Sequence, residues 1–330
     1  MDRRTFITGI ATVVAAPLAA EAQQRGKSGR DDTVYRIGVL SGASSEWLAP
    51  LLDAFREGLV GLGYGERQLL FKTRYATGQD ATLPRLVDEL VRLKVEVIVT
   101  ASSTPATLAA KRGTTKIPIV MVGIGQPEAV VNNLGRPGGN ITGSTILGAE
   151  AVPKRLELVW QFLPGAKRVA LLWNLDNPAN ALLEQEVRRT VPKLDLDLIS
   201  VTVRDRAQMD SAFGLIAKER AGALIVTGDP MHQFHIDRVI AFAARNRIPA
   251  IYNVKENVLA GGLMSYGADH RELYRRAALH VDRILKGARP SDLPIEQPTK
   301  FELAINLKTA RAIGLTIPPS LPLRADQVIE

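Results

Sequence analysis

Small polar side chains cluster in turns that follow apolar runs, where they could bind a small anion or a polar solute. The clearest turn, Thr-Ala-Ser-Ser-Thr at 100–104, lies between a β-branched run and a helix led by proline. Free backbone N–H groups and the positive end of the helix dipole meet at such a turn. Ser102, Ser103 and Thr104 are therefore predicted to bind a carboxylate, with simple capping of the helix as the alternative.

Turns at other strand ends supply further candidates of the same kind. Asp229, which precedes a second proline-led helix, could anchor a ligand amine or only cap that helix. Tyr252 and Tyr266 offer flat rings for the apolar body of a ligand. Trp47 in the first helix is predicted to pack, with the same ligand contact as the alternative. The candidate ligand contacts are Ser41, Gly42, Ser44, Ser102, Ser103, Thr104, Gly123, Gln126, Asn174, Asp176, Asn180, Asp229, Tyr252 and Tyr266.

The patterns of several common catalytic sites are missing from the sequence. It contains no Gly-x-Ser-x-Gly, no Walker A motif and no Gly-x-Gly-x-x-Gly after the first predicted strand. His232 and His235 share a predicted helix face without a third metal ligand at a convincing spacing. We therefore predict a binding protein rather than an enzyme, with no metal and no cofactor.

Composition narrows the class of protein further. The 330 residues suffice for two domains, and the absence of cysteine excludes disulfides, thiolate nucleophiles and cysteine-based zinc sites. The formal net charge of +8 comes from lysines and arginines scattered among acids. This pattern predicts a solvated basic surface and no binding of nucleic acid.

The elements that must position the turns occur twice along the chain. Strands led by arginine begin at Arg36 and Arg168, and strands opened by Ile-Pro begin 81 and 80 residues later, at Ile117 and Ile248. Apolar runs of strand length alternate with amphipathic helices, which favours parallel sheets covered by helices on both faces. We predict an α/β fold of two doubly wound lobes that face each other across a cleft, the usual place for a ligand in such sheets.

The chain is expected to cross between the lobes three times and to form a hinge. The predicted first lobe comprises 35–143 and 264–292, and the second comprises 144–263 and 293–330. The ligand would be small and organic, carboxylate-bearing, aromatic or amino-acid-like.

The first 22 residues have the order of an export signal. A basic start with Arg3-Arg4 precedes an apolar segment, and Ala20-Glu21-Ala22 is a small-x-small cleavage site. The twin-arginine pair suggests export of the folded protein to the periplasm, with export in the unfolded state as the alternative. Residues 23–34 are predicted to be a flexible tether, and no stable membrane insertion is expected.

Several motifs resemble the periplasmic solute-binding proteins of bacterial ABC transporters, in the subfamily that includes tryptophan-type binding proteins. The resemblance covers nearly the whole chain. The matching stretches are the Arg-Arg-x-Phe-Ile leader, Leu-Gly-Arg-Pro-Gly-Gly-Asn-Ile-Thr-Gly at 134–143, Lys-Arg-Leu-Glu-Leu at 154–158, Ala-Gly-Gly-Leu-Met-Ser-Tyr-Gly at 260–267 and Gln-Pro-Thr-Lys-Phe-Glu-Leu at 297–303. The resemblance implies a type I periplasmic-binding-protein fold and a monomer that delivers a small ligand to an ABC permease and its ATPase.

One position departs from the pattern of that family. Where the family commonly has Gly-Asp-Pro, this chain has Gly-Gln-Pro at 125–127, which removes an acid that could hold a ligand ammonium. Two alternatives to an importer component stay open from the residues: a doubly wound enzyme that acts on a small carboxylate, and an exported sensor module.

Overall fold

The structure is a computed structural model that describes residues 33–163 and 166–330. The predicted export signal and residues 23–32 of the predicted tether lie outside this part of the chain. No helix within the described residues is long and apolar enough to cross a membrane.

The first lobe is built on a sheet of five parallel strands in the order β2-β1-β3-β4-β5. Its strands are β1 (Tyr35–Ser41), β2 (Leu69–Tyr75), β3 (Val97–Ala101), β4 (Ile119–Ile124) and β5 (Ile141–Thr145). The helices between them are α1 (Ser45–Gly61), α2 (Leu83–Arg92) and α3 (Thr104–Gly113). Strands β3 and β4 are buried throughout, as expected for apolar runs that are covered on both faces.

The second lobe is built on a sheet of seven strands in the order β12-β11-β10-β9-β8-β6-β7. Its strands are β6 (Arg168–Trp173), β7 (Asp197–Thr202), β8 (Ala223–Val226), β9 (Ala250–Tyr252), β10 (Met264–Ala268), β11 (Phe301–Asn306) and β12 (Gln327–Ile329). Its helices are α4 (Val152–Phe162), α5 (Pro178–Thr190), α6 (Met209–Lys218), α7 (Pro230–Phe234), α8 (Ile236–Arg245), α9 (Lys255–Leu259) and α11 (Leu307–Ala312). All pairs are parallel except β10 with β11.

The two lobes repeat one topology. The order β7-β6-β8-β9-β10 in the second sheet matches β2-β1-β3-β4-β5 in the first, and β11 and β12 are additions at one edge. Each sheet separates two clusters of buried apolar side chains, one on each face. The predicted fold class, α/β with two doubly wound lobes, is confirmed.

The crossing points between the lobes lie later in the chain than the sequence predicted. Residues 141–145 form β5, because they pair with β4 of the first sheet. Residues 264–268, which were assigned to the first lobe, form β10, because Met264 and Ser265 pair with Ile251 and Tyr252 of the second sheet. The chain then returns to the first lobe as α10 (His270–Leu285), whose apolar face packs against α1.

The third crossing also lies later in the chain than the predicted boundary at 292/293. The Glu296 N–H donates to the Gly143 carbonyl at 2.8 Å, and the Ile295 N–H donates to the Leu134 carbonyl at 2.7 Å. Residues 293–296 therefore belong to the first lobe, and the crossing lies between Glu296 and β11. Glycine-rich and proline-rich composition indicated breaks in regular structure here but could not indicate which sheet the neighbouring strand joins.

A buried arginine connects two of the crossing segments. Arg155 on α4 donates from Nε to the Tyr266 carbonyl at 2.8 Å and from Nη1 to the Gly148 carbonyl at 3.4 Å. Burial lowers the pKa of its guanidinium to about 10, so the group stays charged at neutral pH. Arg155 thus fixes α4 to the linker after β5 and to the last strand before α10.

We predict that Tyr252→Phe leaves stability unchanged or raises it. The Tyr252 hydroxyl is buried in the core of the second lobe and has no hydrogen-bond partner among the described residues. Removing an unpaired buried hydroxyl should change the free energy of unfolding by about 0 to +1 kcal/mol, whereas Tyr252→Ala should lower it by about 3–5 kcal/mol. Urea unfolding measures both values. A loss above about 1 kcal/mol for the phenylalanine variant would mean that the hydroxyl has a partner.

Candidate functional site

The candidate site lies where the strand order reverses in each sheet. In the first lobe the turns after β1 and β3 flank this point, and in the second lobe the turns after β6 and β8 do so. Such switch points leave a crevice outside the carboxyl ends of the strands, which is where ligands bind in open α/β sheets. The two crevices face each other and form a cleft between the lobes.

Most predicted hydroxyls of the first lobe make contacts within their own turns. The Ser41 Oγ accepts from the Ala43 N–H at 3.1 Å, and the Ser44 Oγ accepts from the Trp47 N–H at 3.4 Å at the start of α1. Gly42 contributes only backbone, and it approaches the second lobe closely. Ligand contact by these three candidates stays a prediction.

The turn after β3 holds one residue in an uncommon conformation. Ser102 has a φ of +46°, a region that non-glycine residues adopt rarely and that recurs at functional sites. Its Oγ lies 3.2 Å from the Tyr274 hydroxyl of α10, and its side chain lines the cleft. The Ser103 Oγ accepts from the Ala106 N–H at 3.1 Å and caps α3, and the Thr104 side chain is buried at the same turn.

Three asparagine side chains converge on the carboxylate of Asp229. Asn174, Asn177 and Asn180 donate to it over 2.8–3.3 Å, and all four side chains are buried. The Met231 N–H donates to the same carboxylate at 2.9 Å and closes the cap of α7. Asp229 therefore holds the turns after β6 and β8 together, and most of its acceptor capacity is already used within the protein.

Asp176 was predicted beside these asparagines but lies at the rim of the cleft. Its side chain is 60% exposed and faces Arg204 at 3.5 Å. Asn174 and Asn180 turn inward and donate to Asp229, whereas the Asp176 carboxylate is exposed to solvent. The structure thus groups Asn174 and Asn180 with the buried carboxylate and leaves Asp176 apart.

The lobes close over a small cavity. The lining residues are Ala43, Trp47, Ser102, Gly123, Ile146, Gly228, Asp229, Pro230, Gln233, Asn253 and His270. The cavity offers about 20 Å³ to the centre of a water molecule, roughly the space that one water needs. The space as it stands is thus too small for an organic solute.

Glycines of the first lobe lie where the second lobe makes contact. A Cβ placed on Gly42 would lie 2.7 Å from the Pro230 ring, closer than real Cβ atoms approach. A Cβ on Gly125 would lie 3.0 Å from the Ala179 Cβ. Side chains at these positions would thus hinder closure of the lobes.

Four polar side chains at the cavity each have one buried atom without a partner among the described residues. The unpaired buried atoms are Trp47 Nε1, Gln233 Oε1, Asn253 Oδ1 and His270 Nδ1. Burial lowers the pKa of His270 to about 4, so its imidazole is neutral at pH 7. An unpaired buried polar group costs about 1–3 kcal/mol, and the grouping of four around one cavity makes this cavity the candidate site.

The two predicted tyrosines do not line the cavity. Tyr252 lies in the core of the second lobe, and the Tyr266 ring stacks on Phe301 at a centroid distance of 5.6 Å. Successive strand residues point to opposite faces, so it is Asn253, directly after β9, that reaches the cavity. Asn253 carries the sequence signal of a polar residue at a strand end, the same signal that marks Ser102 and Asp229.

Other cavity residues escaped the sequence analysis for topological reasons. His270 begins α10 directly after the second crossing, and this crossing was placed several residues too early. Trp47 is predicted to pack, and its ring does meet that of His270 edge-on with the centroids 6.2 Å apart, but the residue also lines the cavity. Gln233 sits one turn into α7, beyond the turn residues that the sequence analysis considered.

Gly123 and Gln126 follow β4 in the first lobe. Gly123 has a φ of +61° and lines the cavity, where a Cβ would lie 3.1 Å from the Ile146 side chain. The Gln126 Oε1 is buried without a partner in the described chain, but Gln126 does not line the cavity. Its contact with a ligand stays a prediction.

A larger groove of about 480 Å³ lies on the outer side of the first lobe. It is lined by α1 and the edge strand β2, including Arg56 and Phe71. The groove contains no strand-end turn and no unpaired buried polar atom, and the Arg56 guanidinium already stacks on the Phe71 ring at 5.0 Å. We therefore assign the site to the cleft, where polar groups converge, despite its smaller volume. In the described chain no group of three or more His, Asp or Glu residues is placed to bind a metal.

The chain is similar to known solute-binding proteins. A family model described as ABC transporter substrate binding protein matches residues 36–329. A conserved domain protein from Vibrio cholerae O1 biovar eltor shares 26% identity at a TM-score of 0.83, with 90% of this chain and 100% of that chain covered. An ABC domain from Streptococcus pneumoniae in complex with L-Trp shares 24% identity at a TM-score of 0.83, with the same coverage.

A more distant structure shows how widely this fold is used. A solute-binding protein of an ABC transporter from Bacillus halodurans with bound myo-inositol shares 15% identity at a TM-score of 0.57, with 87% of this chain and 99% of that chain covered. No curated protein matches the chain.

We predict that Asp229→Asn destabilises the second lobe by about 2–4 kcal/mol. The side-chain amides of Asn177 and Asn180 now donate to the Asp229 carboxylate. An N–H₂ group in place of one carboxylate oxygen could not accept from them, so buried donors would be left unpaired. Asp176→Asn is the matched control, because an exposed pair with Arg204 contributes at most about 1 kcal/mol. Chemical unfolding compares the two. Equal effects would contradict the structural role of Asp229.

Asp80 lies between β2 and α2. We predict that its carboxyl makes stability fall as pH rises from about 4 to 7. Burial and the nearby charges of Asp229 and Asp176 raise the pKa of its carboxyl to about 7, above its value in the unfolded chain. Between these pKa values the folded state binds more protons, so increasing pH favours unfolding. The stability of Asp80→Asn relative to the wild type should therefore increase over this window, as unfolding at several pH values will measure. A constant difference would contradict the prediction.

Proposed function

This chain belongs to the family of ABC transporter substrate-binding proteins, and from that premise we propose that it is the exported binding component of an ABC importer. It would capture a small organic solute in the cleft and deliver it to a membrane permease that is driven by a separate ATPase. The leader-like order of residues 1–22 supports export to the periplasm.

The observation that carries the proposal is the set of unpaired polar atoms around one cavity between the lobes. Trp47 and His270 come from the first lobe, and Gln233 and Asn253 come from the second. A solute that satisfies all four would bond to both lobes at once. Its binding would therefore stabilise the closed arrangement over the open one.

Closure itself is the proposed signal to the permease. The three crossings after β5, after β10 and before β11 connect the lobes at one hinge, the arrangement that allows rotation of rigid lobes. A micromolar dissociation constant corresponds to about 8 kcal/mol, which several hydrogen bonds and apolar burial can supply. No catalytic step is needed for this role.

The fold leaves several classes of solute open. Similar structures hold L-Trp and myo-inositol, an amino acid and a polyol. The sequence favours a carboxylate-bearing or amino-acid-like ligand, and Gln126 in place of the family's acid argues against an ammonium group. The class of solute therefore has to be inferred from the chemistry of the residues that line the cavity.

We predict that Gly42→Ala weakens solute binding without unfolding the protein. The new methyl group would meet Pro230 across the cleft and hold the lobes apart. If closure then costs about 1.4 kcal/mol or more, the apparent affinity falls at least about ten-fold. The measurement is the thermal shift that a small-molecule extract of cells produces, together with small-angle scattering for separation of the lobes.

Gly61→Ala is the matched control, because nothing lies within 4 Å of a Cβ at that position. The extract should stabilise the wild type and Gly61→Ala alike, and Gly42→Ala should need a more concentrated extract and scatter as a more open particle. The absence of any stabilisation of the wild type would contradict the proposed function. Equal behaviour of all three proteins would contradict the role of closure.

A further inference from the structure

We infer that the solute of this cleft is uncharged, and that Trp47, Gln233, Asn253 and His270 bind it through neutral hydrogen bonds. The inference rests on the proposed function and narrows the class of its ligand. It departs from the carboxylate that the strand-end turns led us to expect from the sequence.

The first reason is that helices which begin at the cleft already have their own caps. The Ser44 side chain caps α1, and Glu46 places a carboxylate in the first turn, where hydrogen bonds from backbone and serine groups lower its pKa. The Asp269 Oδ1 accepts from the Glu272 N–H at 3.1 Å and caps α10. The positive ends of these helices are thus compensated by acids of the chain itself.

The other two helix starts that face the cleft are occupied in the same way. Ser103 caps α3, and Pro105, the second residue of that helix, has no N–H to donate. Asp229 caps α7, and Pro230 follows it directly. A ligand carboxylate would find few free backbone donors at any of these four turns.

The second reason is the charge of the cavity lining. No lysine or arginine is among the residues that line it, so a carboxylate or phosphate would have no cationic partner there. The one acid, Asp229, accepts hydrogen bonds from three asparagines and from the Met231 N–H. A ligand ammonium would have to compete with these donors for a carboxylate that is already satisfied.

The third reason is that the unpaired groups are neutral and nearly enclosed. Gln233, Asn253 and His270 are only 7%, 6% and 4% exposed. The imidazole of His270 is uncharged at neutral pH because burial lowers its pKa to about 4. Burying an ionic group among such side chains carries a large desolvation cost, whereas a neutral polar group that gains hydrogen bonds carries little.

The unpaired groups also define what the solute must offer. The Trp47 indole N–H requires an acceptor on the solute, and the Gln233 and Asn253 side-chain oxygens require donors. The indole and imidazole rings of Trp47 and His270 meet edge-on beside them, which suits a flat or compact body. A carboxamide, a urea or a polyol meets these requirements.

The test separates a small-molecule extract by charge before binding. A cation exchanger at about pH 2 retains amines and amino acids, and an anion exchanger at about pH 9 then retains carboxylates and phosphates. The flow-through contains the uncharged solutes. Each fraction is added to the purified protein, and the shift in melting temperature is measured at neutral pH.

The outcomes distinguish this inference from the proposed function. Stabilisation by the uncharged fraction alone is expected and supports the inference. Stabilisation by either retained fraction would overturn the inference and leave a solute-binding function intact. If no fraction stabilises the protein, the proposed function fails, and the inference fails with it.

Two substitutions connect the binding to the residues named. Trp47→Phe keeps an aromatic ring but removes the indole N–H, and Gln233→Met keeps the length of the side chain but removes the amide. Each variant should need at least about five-fold more of the uncharged fraction to reach half of the maximal shift in melting temperature, because a neutral hydrogen bond contributes about 1 kcal/mol. Gln327→Met, at an exposed position of β12, is the matched control and should behave as the wild type. Unchanged behaviour of both cleft variants would overturn the assignment of these residues.

Discussion

Parallel strands have their carboxyl ends at one edge of a sheet, and the cleft of this protein depends on that constraint. In both lobes the strand order reverses between the first and third strands, which leaves a crevice at this edge. The turns after β1, β3, β6 and β8 border the two crevices, and their polar residues face one another when the lobes close. Strand β10 and helix α10 extend the same edge across the hinge, so that His270 joins the lining.

Hydrogen bonding separates the polar groups that build the cleft from those with which the proposed solute would pair. The Asp229 carboxylate is satisfied by three asparagines, and this network fixes the wall of the second lobe. The Ser102 Oγ likewise has the Tyr274 hydroxyl. Trp47 and Asn253 have polar atoms that are equally buried but unpaired among the described residues. An unpaired buried group lowers stability, and the proposed solute would supply the missing partners at this cavity.

Two kinds of polar contact hold the crossing segments in place: hydrogen bonds from a buried arginine to carbonyl groups, and half-buried ion pairs of a lysine. Arg155 binds carbonyl groups at two crossing segments, and Lys255 donates to Glu302 at 2.8 Å while lying 3.6 Å from Asp269. Asp269 also caps α10, whose first residue lines the cavity. Specific polar contacts therefore fix the direction of the chain at the crossings, and His270 lies one residue from Asp269.

The sequence by itself determined the repeated α/β architecture and the polar strand-end turns, because hydrophobic periodicity and turn composition are local properties. It identified Ser102 and Asp229 as residues of the cleft region for the same reason. Only the tertiary structure decided which sheet β5 and β10 join, because the sequence of an apolar strand does not specify the strand that it pairs with. It also decided that Tyr252 faces the core while Asn253 faces the cavity, and that Asp229 binds asparagines, because the direction and pairing of a side chain depend on neighbours distant in the chain.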